Sequence, residues 1–342
     1  MGVPGRVGGV SEPRVRLRLL AVSLLLGVTA CSAPVAPGAT PPAPSGSSSA
    51  VVVPSAGASA SAAPSAAASP VVVGAPKAAL AVGVRTLKLS RGADRALPTT
   101  VWYPAAGKAG GSPRKDAAAA AGRFPIVLFS HGLRGLPAYY QQVTTRLAAA
   151  GFVVAAPAYP FTNRDASPFQ GADVINQPAD GSAVLTALLK LNTTAGDRFA
   201  GRLDGGRIAV AGHSAGGFTS AGMLANKRDD RVRAAVVIAG GALGGFRGSR
   251  TPVLFVHGDR DAVVKYETGR DAYDATSWPR AFLTVLGGGH SEFLAPGAKG
   301  FDPMMKTMTD FLRWTLYADA AAKGRLAKDG TRSGVSRFEA KL

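Results

Sequence analysis

Ile208-Ala209-Val210-Ala211-Gly212-His213-Ser214-Ala215-Gly216-Gly217 is the stretch on which the fold turns. Its first four residues form an uninterrupted apolar run, as in a strand buried on both faces. Gly212 to Gly216 reads G-x-S-x-G, and the residues beyond it, to about Ala225, read as a helix. A serine set between a buried strand and a helix sits on a sharp, strained turn. The flanking glycines are needed because side chains there would clash. The pentapeptide alone is a modest signal in a chain with 43 glycines, and its weight comes from the strand before it and the helix after it. The helix N-terminus also directs partial positive charge at Ser214.

Similar units flank it. Buried strands are expected at Ile126–Phe129, Phe152–Ala156, Val232–Ala239, Val253–Val256 and Phe282–Leu286. Helices are expected at Gln141–Ala150, at Ala183–Leu191 after an Asp180-Gly181-Ser182 start signal, and at Pro303–Tyr317. Strands alternating with helices imply an α/β domain with a mostly parallel sheet covered on both faces. Arg85–Leu89 and Thr99–Tyr103 read as an early antiparallel pair, and Gly107–Gly122 as a loop. Only thirteen residues separate Ala239 from Val253, which leaves no room for a cap domain over the site.

A serine hydroxyl is a weak nucleophile until a base takes its proton. Only four histidines exist: His131, His213, His257 and His290. His213 adjoins the serine on the turn, so its side chain is expected to point elsewhere. His131 and His257 precede glycines at strand ends, and a turn-stabilising role is expected for His131. His290 follows three glycines after the last strand and is the best base by position. The orienting carboxylate should follow the Val253–Val256 strand, in His257-Gly258-Asp259-Arg260-Asp261. Asp261 is preferred, because Asp259 is better placed to bond its own turn. The order serine, acid, histidine is then that of the G-x-S-x-G hydrolases. An oxyanion needs donors; the backbone N–H groups of Ala215 and Leu133 are the candidates. Tyr159, Phe161 and Phe169, in the long irregular segment Pro157–Pro178, are candidates for a substrate pocket or for core. Trp278 is a weaker pocket candidate and reads more readily as core.

Val101-Trp102-Tyr103-Pro104, Ser130-His131-Gly132-Leu133, Gly212–Gly217, His257–Asp261 and Gly289-His290 together resemble the α/β-hydrolase superfamily, over about Val84 to Tyr317. The resemblance is to the branch of platelet-activating-factor-acetylhydrolase-like, chlorophyllase-like and dienelactone-hydrolase-like proteins, which includes cutinase-like polyester hydrolases. It implies carboxylic-ester hydrolysis through an acyl-serine, with Ser214, Asp261 and His290 as triad and Leu133 and Ala215 as oxyanion donors. Two departures matter. The cysteine nucleophile of dienelactone hydrolases proper is absent. Many bacterial polyester hydrolases carry Met after the serine and a C-terminal disulfide, whereas this chain has Ala215 and a single cysteine. Two other readings use the same scaffold: an acyltransferase, which passes the acyl group to another alcohol, and a catalytically silent binding protein, which the complete triad disfavours.

That cysteine, Cys31, lies elsewhere. Arg14, Arg16 and Arg18 precede an apolar run from Leu19 to Val28, too short to span a bilayer and suited to a secretory signal. Val28-Thr29-Ala30-Cys31 resembles the bacterial lipobox, which implies a signal peptide over 1–30, lipidation at Cys31 and a membrane-anchored, extracytoplasmic protein, in part secreted. Residues 31–77 are dominated by Ala, Ser, Pro, Gly, Thr and Val and read as a tether that cannot bury enough apolar surface to order itself. The catalytic domain is expected over 78–318, and 319–342 is expected to be a basic, disordered tail. The net charge of +18 favours polyanions in general, yet no nucleic-acid signature accompanies it. No His/Asp/Glu spacing suggests a metal ligand set and no cofactor is implied. The expected partners are a small-molecule or lipid-like ester and the membrane.

Overall fold

The computed structural model describes residues 74–342. The expected signal peptide, Cys31 and most of the expected tether lie outside the described residues.

Strand β4 (Phe124–Ser130) shows how the sheet is built. All seven of its residues are buried. Ile126 and Leu128 enter one apolar cluster, whereas Val127 and Phe129 enter another. The same alternation divides β6 (Leu203–His213), β7 (Val232–Ile238) and β8 (Val253–Gly258). A continuous apolar run is therefore required, because each face of the sheet carries its own core.

On one face lie α1 (Gln141–Ala149), α5 (Phe301–Tyr317) and α6 (Ala320–Gly330), anchored by Leu147, Met308, Phe311 and Leu326. On the other lie α2 (Gln177–Leu191), α3 (Ala215–Gly222) and α4 (Tyr266–Ala275), anchored by Leu185, Leu188, Ala221 and Tyr273. The remaining strands are β1 (Ala81–Arg91), β2 (Arg95–Ala105), the two-residue β3 (Arg114–Lys115), β5 (Val153–Pro157), β9 (Arg280–Val285) and β10 (Ser336–Lys341). Their order in the sheet is β10-β9-β8-β7-β6-β4-β5-β2-β1-β3. Strands β4 to β9 run parallel, while β1 and β2 form the expected antiparallel pair. This is the α/β-hydrolase fold. The segment from Ala239 to Pro252 holds no helix or strand, so no cap is built there.

Two expectations fail. Residues 319–342 are not a disordered tail. Asp319 caps α6 by accepting from the Ala322 N–H at 2.9 Å, and Arg325 pairs with Asp310 of α5. Beyond it β10 pairs antiparallel with β9, Phe338 opposite Leu283, and closes that edge of the sheet. The basic residues occupy the solvent face, while Ala322 and Leu326 are buried. So few apolar anchors leave little periodic signal. Helix α2 starts at Gln177, ahead of the Asp180-Gly181-Ser182 signal. Asp180 is instead buried in an ion pair with Arg95 of β2, and Arg95 also holds Asp173. That network ties the irregular segment after β5 to the β1–β2 hairpin.

Candidate active site

Parallel registration brings the functional loops to one end of the sheet. Ser130 of β4 pairs with Gly212 of β6, and His213 with Ile238 of β7. The chain after β4 therefore runs beside the turn after β6. On that turn Ser214 has φ 57° and ψ −123°, a left-handed-side conformation that a non-glycine residue adopts only where its surroundings enforce it. The enforcement is visible in its neighbours. A Cβ on Gly212 would lie 2.1 Å from the Gly216 carbonyl oxygen, and one on Gly216 would lie 2.0 Å from that of Ser130.

Ser214 and His290 line one cleft of about 490 Å³, with Leu133, Arg134, Tyr140 and Leu294 among its walls. His290 bonds through Nδ1 to Asp261 Oδ2 at 2.7 Å. The other oxygen of Asp261 accepts from the N–H groups of Val263 and Val264 at 2.8 and 2.9 Å. Burial pushes this carboxyl up, but the bonds from His290 and the two backbone N–H groups outweigh it and hold it below the usual carboxylate range. Asp261 is thus an ionised partner for an imidazole. Asp259 accepts from the Gly287 N–H at 2.6 Å and so ties the β8 loop to the loop after β9.

Leu133 lines the cleft, and its N–H has no hydrogen-bond partner among the described residues. The Ala215 N–H is the first of α3, where no intrahelical acceptor exists. Both donors are free at the cleft end of the sheet.

His131 is a turn residue, as expected. Its Nε2 accepts from the Tyr159 N–H at 3.0 Å, so Nδ1 carries the proton and donates to the Gly132 carbonyl at 2.7 Å. Burial lowers its pKa to about 4, which keeps it neutral.

Of the two roles left open for the aromatic candidates, core or pocket wall, none of the three takes the wall of this cleft. Tyr159 is fully buried and its hydroxyl bonds Ser130 Oγ at 2.8 Å, so it is core and not pocket wall. Phe161 sits under the Arg95 guanidinium, 5.2 Å from ring centre to charge. Phe169 lies 4.0 Å below the guanidinium of Arg134, so it props a cleft residue without lining the cleft itself. Trp278 is buried against Phe246.

Three residues were not anticipated. His213 does not point away from the site: it lines the cleft, and its ring centre is 4.6 Å from that of His290. Tyr140 reaches His213 from the start of α1. His257 lies 3.2 Å from Asp261. Only the position of His213 inside the G-x-S-x-G turn carried a signal in the sequence. Among the described residues no group of three or more His, Cys, Asp or Glu could hold a metal ion.

A search of curated proteins found no match. Residues 79–320 match a protein-family model described as PETase, PET hydrolase-like. That span holds the cleft, Ser214, Asp261 and His290, and most of the sheet. The chain belongs to the PET hydrolase-like family of ester hydrolases, a family of the α/β-hydrolase fold.

Proposed function

We propose that this protein is a serine esterase that acts through an acyl-serine intermediate. The observation that carries the proposal is the 2.7 Å bond from His290 Nδ1 to Asp261, made by a histidine that lines the same cleft as Ser214. With its Nδ1 proton committed to Asp261, His290 keeps a lone pair on Nε2. That nitrogen takes the Ser214 proton as Oγ attacks the ester carbonyl. The oxyanion that forms is met by the N–H groups of Leu133 and Ala215. Collapse expels the alkoxide, which takes the proton from His290 and leaves as the alcohol. Water, deprotonated by the same nitrogen, then attacks the acyl-serine and releases the acid, restoring Ser214.

The substrate is an ester longer or bulkier than a closed pocket admits. The cleft has no cap among the described residues, and its walls mix Leu133, Leu294 and Pro296 with one cation, Arg134. The family description names PET hydrolysis, which is consistent with such a cleft. On the sequence pattern around Cys31 we further propose that the enzyme works outside the cytoplasm, held to the membrane by a lipid and the segment before residue 78.

Hydrolysis of p-nitrophenyl acyl esters of graded chain length tests the reading. Wild type should release p-nitrophenol from at least one of them, and Ser214→Ala should not. Equal, background rates for both on every ester would refute it.

A further inference from the structure

Three hydrogen bonds cross the cleft in series. The Gly132 N–H donates to the Tyr140 hydroxyl at 3.0 Å. That hydroxyl donates its proton to His213 Nδ1, also at 3.0 Å. His213 Nε2–H donates to the backbone carbonyl of His290 at 2.8 Å. Only one arrangement of protons satisfies all three, because a phenol has one proton to give and a neutral imidazole one to give and one site to accept. We infer that Tyr140 and His213 are positioning residues that join the loop carrying the oxyanion donor to the loop carrying the base. The inference rests on the serine-esterase reading for its catalytic consequence, but not for its geometry.

The connection answers two needs of the site. His290 follows Gly287-Gly288-Gly289, a run with more backbone freedom than any other triplet could have. Asp261 holds the His290 ring, and His213 holds its backbone; together they leave the base no swing. On the other side, Tyr140 engages the Gly132 N–H. The free donor of that loop is therefore Leu133, and its direction is set by the engaged neighbour. Burial supports the arrangement, since it lowers His213 to about 4 and raises Tyr140 to about 12, so neither changes charge between them. The two residues are far apart in sequence, 73 positions, and meet only because β4 and β6 are neighbours.

Tyr140→Phe and His213→Leu each break the series at a different bond. Each should lower kcat about tenfold and change KM less than that, since both residues line the cleft but what is chiefly lost is preorganisation. The double variant should be no slower than the slower single variant. His213→Gln, whose amide can both accept from Tyr140 and donate to His290, should recover most of the loss. Amide hydrogen exchange read by mass spectrometry gives an arm independent of turnover. In Tyr140→Phe, exchange should quicken in 287–294 as well as in 131–136. Multiplicative losses in the double variant, or faster exchange confined to 131–136, would overturn the inference. An inert wild type with coupled exchange would instead refute the esterase reading and leave the connection standing.

Discussion

His257 Nε2 lies 3.2 Å from Asp261 Oδ2, the same oxygen that accepts from His290. The same nitrogen is 2.9 Å from the Val264 carbonyl, so its one proton is shared between the two acceptors. Asp261 therefore has donors on all sides: two backbone N–H groups, His290, and a second buried histidine.

Removing the carboxylate should be far more costly than removing this support. Asp261→Asn should lower kcat by about 10³–10⁴, because an amide can hold His290 in the wrong tautomer. His257→Leu should lower it about ten- to a hundredfold through misplacement of Asp261. It should also move the acid limb of the kcat/KM profile to higher pH, since a carboxylate with one donor fewer ionises less readily. Stopped or steady-state rates over a pH series measure both.

Stability should begin to fall with acid from about pH 6.5, through buried histidines. Burial holds both His131 and His213 at about 4 in the folded protein, against about 6.5 when unfolded. Between these values the unfolded chain binds more protons than the folded one, so stability rises with pH there and drops as pH falls from about 6.5 towards 4. Each histidine contributes on the order of 3 kcal/mol to the drop. Urea unfolding at pH 7.0, 5.5 and 4.5 should show it, and His131→Gln should flatten the slope.

Arg95 answers two buried carboxylates, Asp173 and Asp180, while Arg91 reaches only the second. Arg95→Met leaves Asp173 with no cation, only the Asn176 amide, and should destabilise the fold by about 3 kcal/mol, measured as a shift in the urea midpoint. Arg91→Met, on a half-exposed side chain, should shift it much less.

A chain ended after Tyr317 loses α6 and β10 and opens the edge of β9. Unpaired N–H and C=O groups on such an edge template aggregation. The shortened protein should melt at lower temperature and scatter light on heating, whereas a Lys323→Ser/Lys328→Ser variant of the full chain should not.

The strands and their order of use were legible because each run from Ile126 to Val256 is apolar on both faces. The bond of His290 to Asp261, and the cleft that His290 shares with Ser214, join residues that a strained turn, a strand end and a glycine run each single out locally in the sequence. Leu133 and Ala215 followed from their places beside these features. What was not legible depends on contacts across the sheet. Tyr140 meets His213 only through the pairing of β4 with β6. Tyr159 was open to pocket or core because it lies in an irregular segment, and its bonds to Ser130 and His131 draw it into the core. The segment 319–342 looked featureless because its helix buries only two apolar side chains, Ala322 and Leu326.

The cleft is walled mainly by Leu133 to Tyr140 and by Ser291 to Pro296, segments outside every strand of the sheet. The ten-stranded frame contributes little to that wall, although Tyr140 and Leu294 also reach one of its cores. Substrate preference is thereby separable from foldability. A library that varies the exposed Tyr139, Ser291, Ala295 and Pro296 can be screened for new esters at little risk of losing expression, a freedom that Gly212, Gly216 and the strands do not share.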